Sequence, residues 1–309
     1  MKTQVQGSYV LRVKSPGGII KREAECKNVI TDLGMNRLGN TYWGAAEYIR
    51  VGTGTTTADP GDQQLVNQIA ATNNRLGYIA TDNSGAPLYR SRVTFTWQFA
   101  QGAVVGNIAE IGVGWAATGA TLLTRSRILD ISGLPTTISV LADEILEVAY
   151  SFDLYPTTSD FTGSITISGT TYNYTGRSAN IQYTDASALF GVYGAGLSNF
   201  SVQGYQAGCS LGPITGTISG VPVTAAQAAV QSYVNNSYEL SYGVSFGINS
   251  GNGAGGLGGF AVTFHHVAYQ VVFDTPIPKD NTKILTFGIK QSWGRYCHGT
   301  PPEPTVHSA

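Results

Sequence analysis

The residues of this chain that could do chemistry are few, and their spacing does not favour it. His265 and His266 are adjacent, and neighbours on an extended strand point to opposite faces, so the pair cannot grip one metal ion unaided. A structural or interface role is the better reading. Cys297-His298 has no CxxC partner and no second His at ligand spacing. Glu23, Glu25, Glu110, Asp143 and Glu144 could supply carboxylates for acid and base work, but only convergence in space would make any of them catalytic. Glu110 stands out because Ile108, Ile111 and Val113 crowd around it. A carboxylate in that setting reads as an acceptor of backbone or Arg hydrogen bonds at a strand end. Gly52-Thr-Gly-Thr-Thr-Thr57 has the glycines of a phosphate cradle without its Lys or its following helix. No Gly-x-Ser-x-Gly elbow stands between a strand and a helix, and no His-Glu-x-x-His occurs. We expect no catalytic residue, no metal ligand and no cofactor, and read the chain as something other than an enzyme.

Tyrosine is the other residue type with a message, at seventeen copies. Its flat face and single hydroxyl suit protein interfaces and sugar binding alike. Tyr150, Tyr242 and Tyr269 lie on apolar faces and belong to a core. Tyr172, Tyr174, Tyr183, Tyr193 and Tyr205 stand in polar stretches and are the candidates for contact with a partner.

The elements that must hold these residues are strands. Val93, Phe95, Trp97 and Phe99 alternate with polar residues, and Leu146, Val148, Tyr150, Phe152 and Leu154 repeat the pattern, a period of two that a helix would scatter around its axis. Tyr9, Leu11 and Val13 form a third such run before the turn Ser15-Pro-Gly-Gly18, with Ile19 to Lys27 returning as a hairpin. A fourth is Tyr238 to Ile248, and a last one carries Leu285, Phe287, Ile289 and Trp293. The apolar phase slips by one at His265-His266, which reads as a bulge or a shared core. Helices are short: one capped at Thr31 or Asp32 and ending near Gly39, one or two turns over Asp62 to Ala70, and about three turns over Thr224 to Val234. The chain therefore reads as all-β, two β-sandwich-like domains with a few short helices, divided near Pro156 to Asp160 into residues 1–156 and 157–309, the latter closing on a Pro-rich tail from His298.

Composition narrows the functional classes. Charged residues are 12 % of the chain, about half the usual share, and Gly reaches 39. A net charge of -1 offers no field for phosphate backbones or anionic lipid, so neither nucleic acid nor membrane insertion is expected. The first residues carry no apolar signal core, which implies that the chain is made in a cytoplasm or leaves it by a route other than a signal peptide. Three widely separated cysteines, Cys26, Cys209 and Cys297, cannot all pair and read as thiols.

Asn28-Val-Ile-Thr-Asp-Leu-Gly-Met-Asn-Arg37, Val51-Gly-Thr-Gly-Thr-Thr-Thr57, Leu65-Val-Asn-Gln-Ile-Ala70, Phe95-Thr-Trp-Gln-Phe-Ala-Gln-Gly102, Gly106-Asn-Ile-Ala-Glu-Ile-Gly-Val-Gly114 and Val140-Leu-Ala-Asp-Glu-Ile-Leu146 follow one another through the first half. In that order they resemble bacteriophage virion proteins of the tail and tail-fibre class. The resemblance implies a virion structural protein, made in the host cytoplasm, whose first domain docks on the particle. Its expected partners are further copies in a symmetric homo-oligomer, a trimer or a hexamer, and other virion proteins. A surface poor in charge is cheap to desolvate, and symmetric repetition multiplies modest contacts. The alternative is a host-receptor or glycan-binding module, with the tyrosines from Tyr172 to Tyr205 and the Gly-rich loop near Gly255 as its site. A glycan-degrading enzyme ranks third, because few Asp and Glu lie in the second half.

Overall fold

The structure is a computed structural model that describes residues 1–39, 46–83, 89–130, 132–180, 201–264 and 267–296. It is all-β, with one short helix among the described residues. The longest sheet runs β16 (Gln227–Val230), β17 (Glu239–Phe246), β20 (Leu285–Arg295), β1 (Lys2–Lys14), β12 (Ile145–Pro156), β7 (Arg90–Gln98) and β6 (Arg75–Asn83), with β2 (Ile20–Lys27) also paired to β1. The second sheet runs β3 (Val29–Ile30), β10 (Leu122–Arg127), β9 (Glu110–Gly114), β4 (Tyr48–Gly52) and β5 (Gln68–Thr72). The third runs β13 (Phe161–Ile167), β14 (Thr170–Ala179), β19 (Val267–Ile277), β18 (Leu257–Phe264) and β15 (Ser201–Gln206), and β8 (Gly106–Ile108) pairs with β11 (Ile138–Val140) in a small ribbon.

The period-two runs make these strands because each buries one face. Val93, Phe95, Trp97 and Phe99 are buried, as are Leu146, Val148, Tyr150, Phe152 and Leu154, and β7 and β12 lie side by side with Phe95 opposite Tyr150. One end of the long sheet is covered by the second sheet: Tyr9 on β1 shares a hydroxyl hydrogen bond with Thr124 on β10, and Trp97 Nε1 donates to the Glu47 carbonyl. The other end is covered by the third: Phe260 of β18 lies 5.2 Å from Phe287 of β20, and the Tyr269 hydroxyl is 3.1 Å from that of Thr3. Two sandwiches thus share one sheet. The boundary expected at Pro156 to Asp160 coincides with the end of β12, but strands from both sides of it are hydrogen-bonded together. β20 runs parallel to β1, with Lys2 opposite Ser292 and Val5 opposite Arg295, while β2 takes the same edge of β1 from Ser8 onward.

The one helix, α1 (Asp32–Leu38), starts where the side chain of Thr31 accepts from Gly34 N and stops at Gly39, as its sequence suggests. Met35 and Leu38 turn inward, whereas Leu33 stays half-buried. Its outer residues fasten the second half of the chain. Asn36 Oδ1 accepts from the Tyr233 hydroxyl and from Asn236 N, Asp32 pairs with Arg295 at 2.5 Å, and Trp293 Nε1 donates to the Met35 carbonyl. Gly39 sits under the stacked Tyr233 and Trp293 rings, where a Cβ would lie 2.5 Å from the tyrosine.

Two expected helices are absent, and each stretch contributes only a short strand, β16 and the start of β5. Thr224 to Val234 has the alanines of a helix, yet Val223 N donates to Gly204 O, Ala226 N to Val202 O, and β16 pairs with β17. The edges of β15 and β17 offer this segment backbone partners, which outweigh an Ala preference of under about 1 kcal/mol per residue. The segment Asp62 to Ala70 ends in β5, paired with β4, for a reason that lies in the site below. His265-His266 are outside the described residues, as is the Pro-rich tail. The strands on either side of the pair run antiparallel, with Phe264 opposite Val267. The Ser168-Gly169 turn is as expected, both residues having positive φ between β13 and β14.

Trp293→Ala should destabilise the chain by about 3–5 kcal/mol, the range for an emptied aromatic core site, in urea unfolding followed by circular dichroism. A single cooperative transition is expected, since the long sheet belongs to both sandwiches.

Candidate assembly surface and the buried ions behind it

Glu110 begins β9 and is fully buried. Along β9, Ile111 and Val113 face the core, so Glu110, Gly112 and Gly114 face the other way; the segment between β4 and β5 covers Glu110, and Thr121 with Arg50 covers Gly114. Its carboxylate is surrounded by donors. Oε1 accepts from Gly54 N at 3.0 Å and Asn67 N at 2.7 Å, and Oε2 from Val66 N at 3.1 Å and Arg125 Nε at 3.0 Å. Arg125, equally buried, gives its remaining protons to Asp62 Oδ2 at 2.7 Å, to the carbonyls of Thr56 and Thr57 and to the Thr56 hydroxyl. A buried carboxylate beside a satisfied guanidinium costs far less than either ion alone.

Gly52-Thr-Gly-Thr-Thr-Thr57 cradles an anion after all, but the anion is the chain's own Glu110. A Cβ on Gly54 would stand 2.4 Å from Glu110 Oε1, and one on Gly52 2.6 Å from it, so only glycine lets the backbone come this close. The same carboxylate explains why Asp62 to Ala70 is not helical. The amides of Val66 and Asn67, which a helix would bond to earlier carbonyls, point at Glu110 instead.

A second guanidinium lies on the same face. Arg50 on β4 and Arg125 on β10 both stand opposite Gly112, so glycine separates two buried cations. Arg50 is held by main-chain oxygens, with Nε donating to Ala116 O at 2.9 Å and Nη1 to Gly119 O at 3.0 Å, and with the Thr121 hydroxyl as a further partner. Burial depresses its pKa from the usual arginine value. These two clusters fix the loops on the outside of the second sheet.

Beside them lie β5 and β6, each the terminal strand of its sheet among the described residues. Both strands carry a register slip, at Val51/Gly52 opposite β5 and between Arg75 and Gly77 in β6. Bulges re-aim side chains, and here Ile69 and Leu76 are exposed, as are Val66 and Ile79, all four between 42 % and 67 %. From Gln63 to Thr81, Arg75 is the only charged residue. Its guanidinium is folded over Phe95 and Trp97, 4.5 and 5.2 Å from the ring centres, and donates to Ala46 O.

The tyrosines singled out in the sequence do not gather into one surface among the described residues. Tyr172 and Tyr205 are buried. Tyr174 is half-buried, edge-on to Phe273 at 6.3 Å, with Gly163 making room for its ring. Burial raises its phenol. Tyr183 and Tyr193 lie outside the described residues. The Thr-rich, Gly-rich setting of Tyr172 and Tyr205 looks polar in sequence because the third sheet buries them through strands that are otherwise hydroxyl-bearing. Of the cysteines, Cys26 is buried and its thiol is pushed up to about 11 by burial, Cys209 is half-buried, and both are free. No group of three or more metal-ligating side chains occurs among the described residues, and no described helix is long and apolar enough to cross a membrane.

No family model, no curated protein and no solved structure matches the chain.

Arg125→Met should cost about 3–5 kcal/mol by leaving Glu110 buried and uncompensated. The double variant Arg125→Met with Glu110→Gln should be less damaged than the summed single losses, measured by chemical denaturation. Gly54→Ala should destabilise by pushing against the Glu110 carboxylate while leaving both charges in the chain.

Proposed function

We propose that the chain is a structural protein of a bacteriophage particle, a homo-oligomeric component of the tail, tail tip or tail fibre, docked through its first half. The observation that carries this reading is the pair of sheet edges at β5 and β6, which no described strand covers and beside which Val66, Ile69, Leu76 and Ile79 are exposed. Monomeric proteins usually blunt such edges with Lys, Pro or a covering segment, because an open edge invites another chain.

The sequence resemblance adds to this. Its motifs are the parts that build the site: Asn28 to Arg37 supplies β3 and α1, Val51 to Thr57 and Leu65 to Ala70 supply the loop gripped by Glu110, and Gly106 to Gly114 supplies Glu110 itself. A virion component must keep its shape under load. Here β1 joins the two sandwiches through continuous hydrogen bonding.

Purified particles of a phage encoding this chain should contain it in many copies by mass spectrometry, and the recombinant protein should exceed monomer mass in light scattering. Absence from particles together with a monomer at high concentration would overturn the proposal.

A further inference from the structure

We infer that Asn252 is a self-modifying site, where the backbone nitrogen of Gly253 displaces the side-chain amide with help from the buried Lys279 amine and leaves a carboxylate paired with that lysine. The inference goes beyond the structural-protein reading and does not rest on it.

Two connections of the second sandwich meet here, residues 247–256 between β17 and β18 and residues 278–284 between β19 and β20. Lys279 is 3 % exposed. Its amine donates to two neutral oxygens, Asn252 Oδ1 at 2.7 Å and the Asp280 carbonyl at 2.9 Å. The Asp280 carboxylate is engaged elsewhere, accepting from Thr282 N at 2.9 Å and from Lys283 Nζ at 3.1 Å. Lys279 therefore makes no ion pair among the described residues, a costly condition for a buried ammonium. Burial lowers its pKa, outweighing the nearby Asp280 charge. A carboxylate in place of the Asn252 amide would supply the missing charge at hydrogen-bond distance.

The same contact favours the reaction that makes this carboxylate. Asn252 precedes Gly253, the one Asn-Gly step in the chain. With no Cβ beside it, the glycine nitrogen approaches the preceding side-chain amide unhindered. The fold demands glycine at this position, because a Cβ would lie 2.5 Å from Gln206 Cβ and 2.8 Å from Val223 Cγ1. Among the described residues nothing accepts from the Gly253 N–H. The Asn252 amide has one orientation, since Nδ2 donates to the Ile248 carbonyl at 2.7 Å while Oδ1 accepts from Lys279. Asn252 is exposed, so water reaches it.

Gly253 N gives its proton to solvent and bonds to Asn252 Cγ, closing a five-membered ring and placing negative charge on Oδ1. The Lys279 ammonium, already donating to that oxygen, stabilises the charge. The Cγ–Nδ2 bond then breaks, and ammonia leaves with a proton taken from water. Water opens the cyclic imide at either carbonyl, which yields aspartate or isoaspartate at position 252.

The test incubates the full chain in mildly alkaline buffer and follows it by intact mass and peptide mapping. Residue 252 should gain one mass unit at least about tenfold faster than in a synthetic peptide of residues 248–254, since a positioned oxyanion donor is worth about that much or more. Lys279→Met should return the folded chain towards the peptide rate, and Lys279→Arg should keep it fast. Asn252→Asp should raise the melting temperature by about 1–3 °C, the scale of one charge-assisted hydrogen bond in a chain of this size. A folded chain that reacts no faster than the peptide, or equally fast with Met at 279, overturns the assisted reaction. An Asn252→Asp chain that melts no higher overturns the pairing with Lys279. If Lys279→Met does not fold, the comparison of unaltered chain with peptide decides. None of these outcomes bears on whether particles contain the chain.

Discussion

The architecture depends on β1 having two fully used edges. Along one side it is bonded to β12 from Thr3 to Lys14, while the other side is divided between β20 and β2. A single strand thereby closes the first sandwich and admits the second half of the chain into the same sheet. Its core face, with Val5, Tyr9, Leu11 and Val13, is wholly buried. A one-residue slip would turn these side chains outward. Polar groups oppose that slip from within: the Tyr9 hydroxyl meets Thr124, Tyr9 and Tyr150 lie 5.0 Å apart, and a Cβ on Gly7 would collide with the Asn28 amide. Burial raises both phenols, which keeps them neutral inside the core.

With that sheet fixed, the second sheet can carry ions on its far face. Arg50, Glu110 and Arg125 occupy strand positions whose neighbours point into the core, so their own side chains have nowhere to go but under the covering loops. The loops are ordered by the ions, and the ions are tolerable only because the loops supply amides, hydroxyls and carbonyls. The mutual dependence explains why glycines recur around them, at Gly52, Gly54, Gly112 and Gly114, each with a close contact where a side chain would be.

The sequence disclosed what depends on local pattern. The long alternations of β1, β7, β12, β17 and β20, the cap at Thr31, the Ser168-Gly169 turn and the role of Glu110 as a hydrogen-bond acceptor at a strand end were all readable, because a period of two or a capping residue acts over a few neighbours. What escaped depends on partners distant in the chain. Nothing in Thr224 to Val234 reports that β15 and β17 leave edges open beside it, and nothing in Asp62 to Ala70 reports a carboxylate more than forty positions away in sequence. The sharing of one sheet by both halves escaped for the same reason. Only the register of β1 with β20 reveals it. The edge at β5 could have been suspected from the uncharged run Val66 to Asn74, had it been read as a strand and not as a helix.

The scarcity of charge and the uncharged edge at β5 have one cause. With charged residues at 12 %, this chain places many of its ions in partnerships that withdraw them from solvent: Glu110 with Arg125, Asp153 with Arg92 at 2.6 Å, Glu147 with Lys14 at 2.5 Å, Glu144 with Arg22, Arg75 over two aromatic rings. Paired in this way, they hold loops and strand registers, and they no longer serve as the exposed single charges that keep sheet edges apart. The neutral edge at β5 is thus a consequence of how stability is built behind it. Removing Arg125 would free the segment that leads through Val66 into β5 and β6, so the interior ions and the outer surface form one mechanical unit.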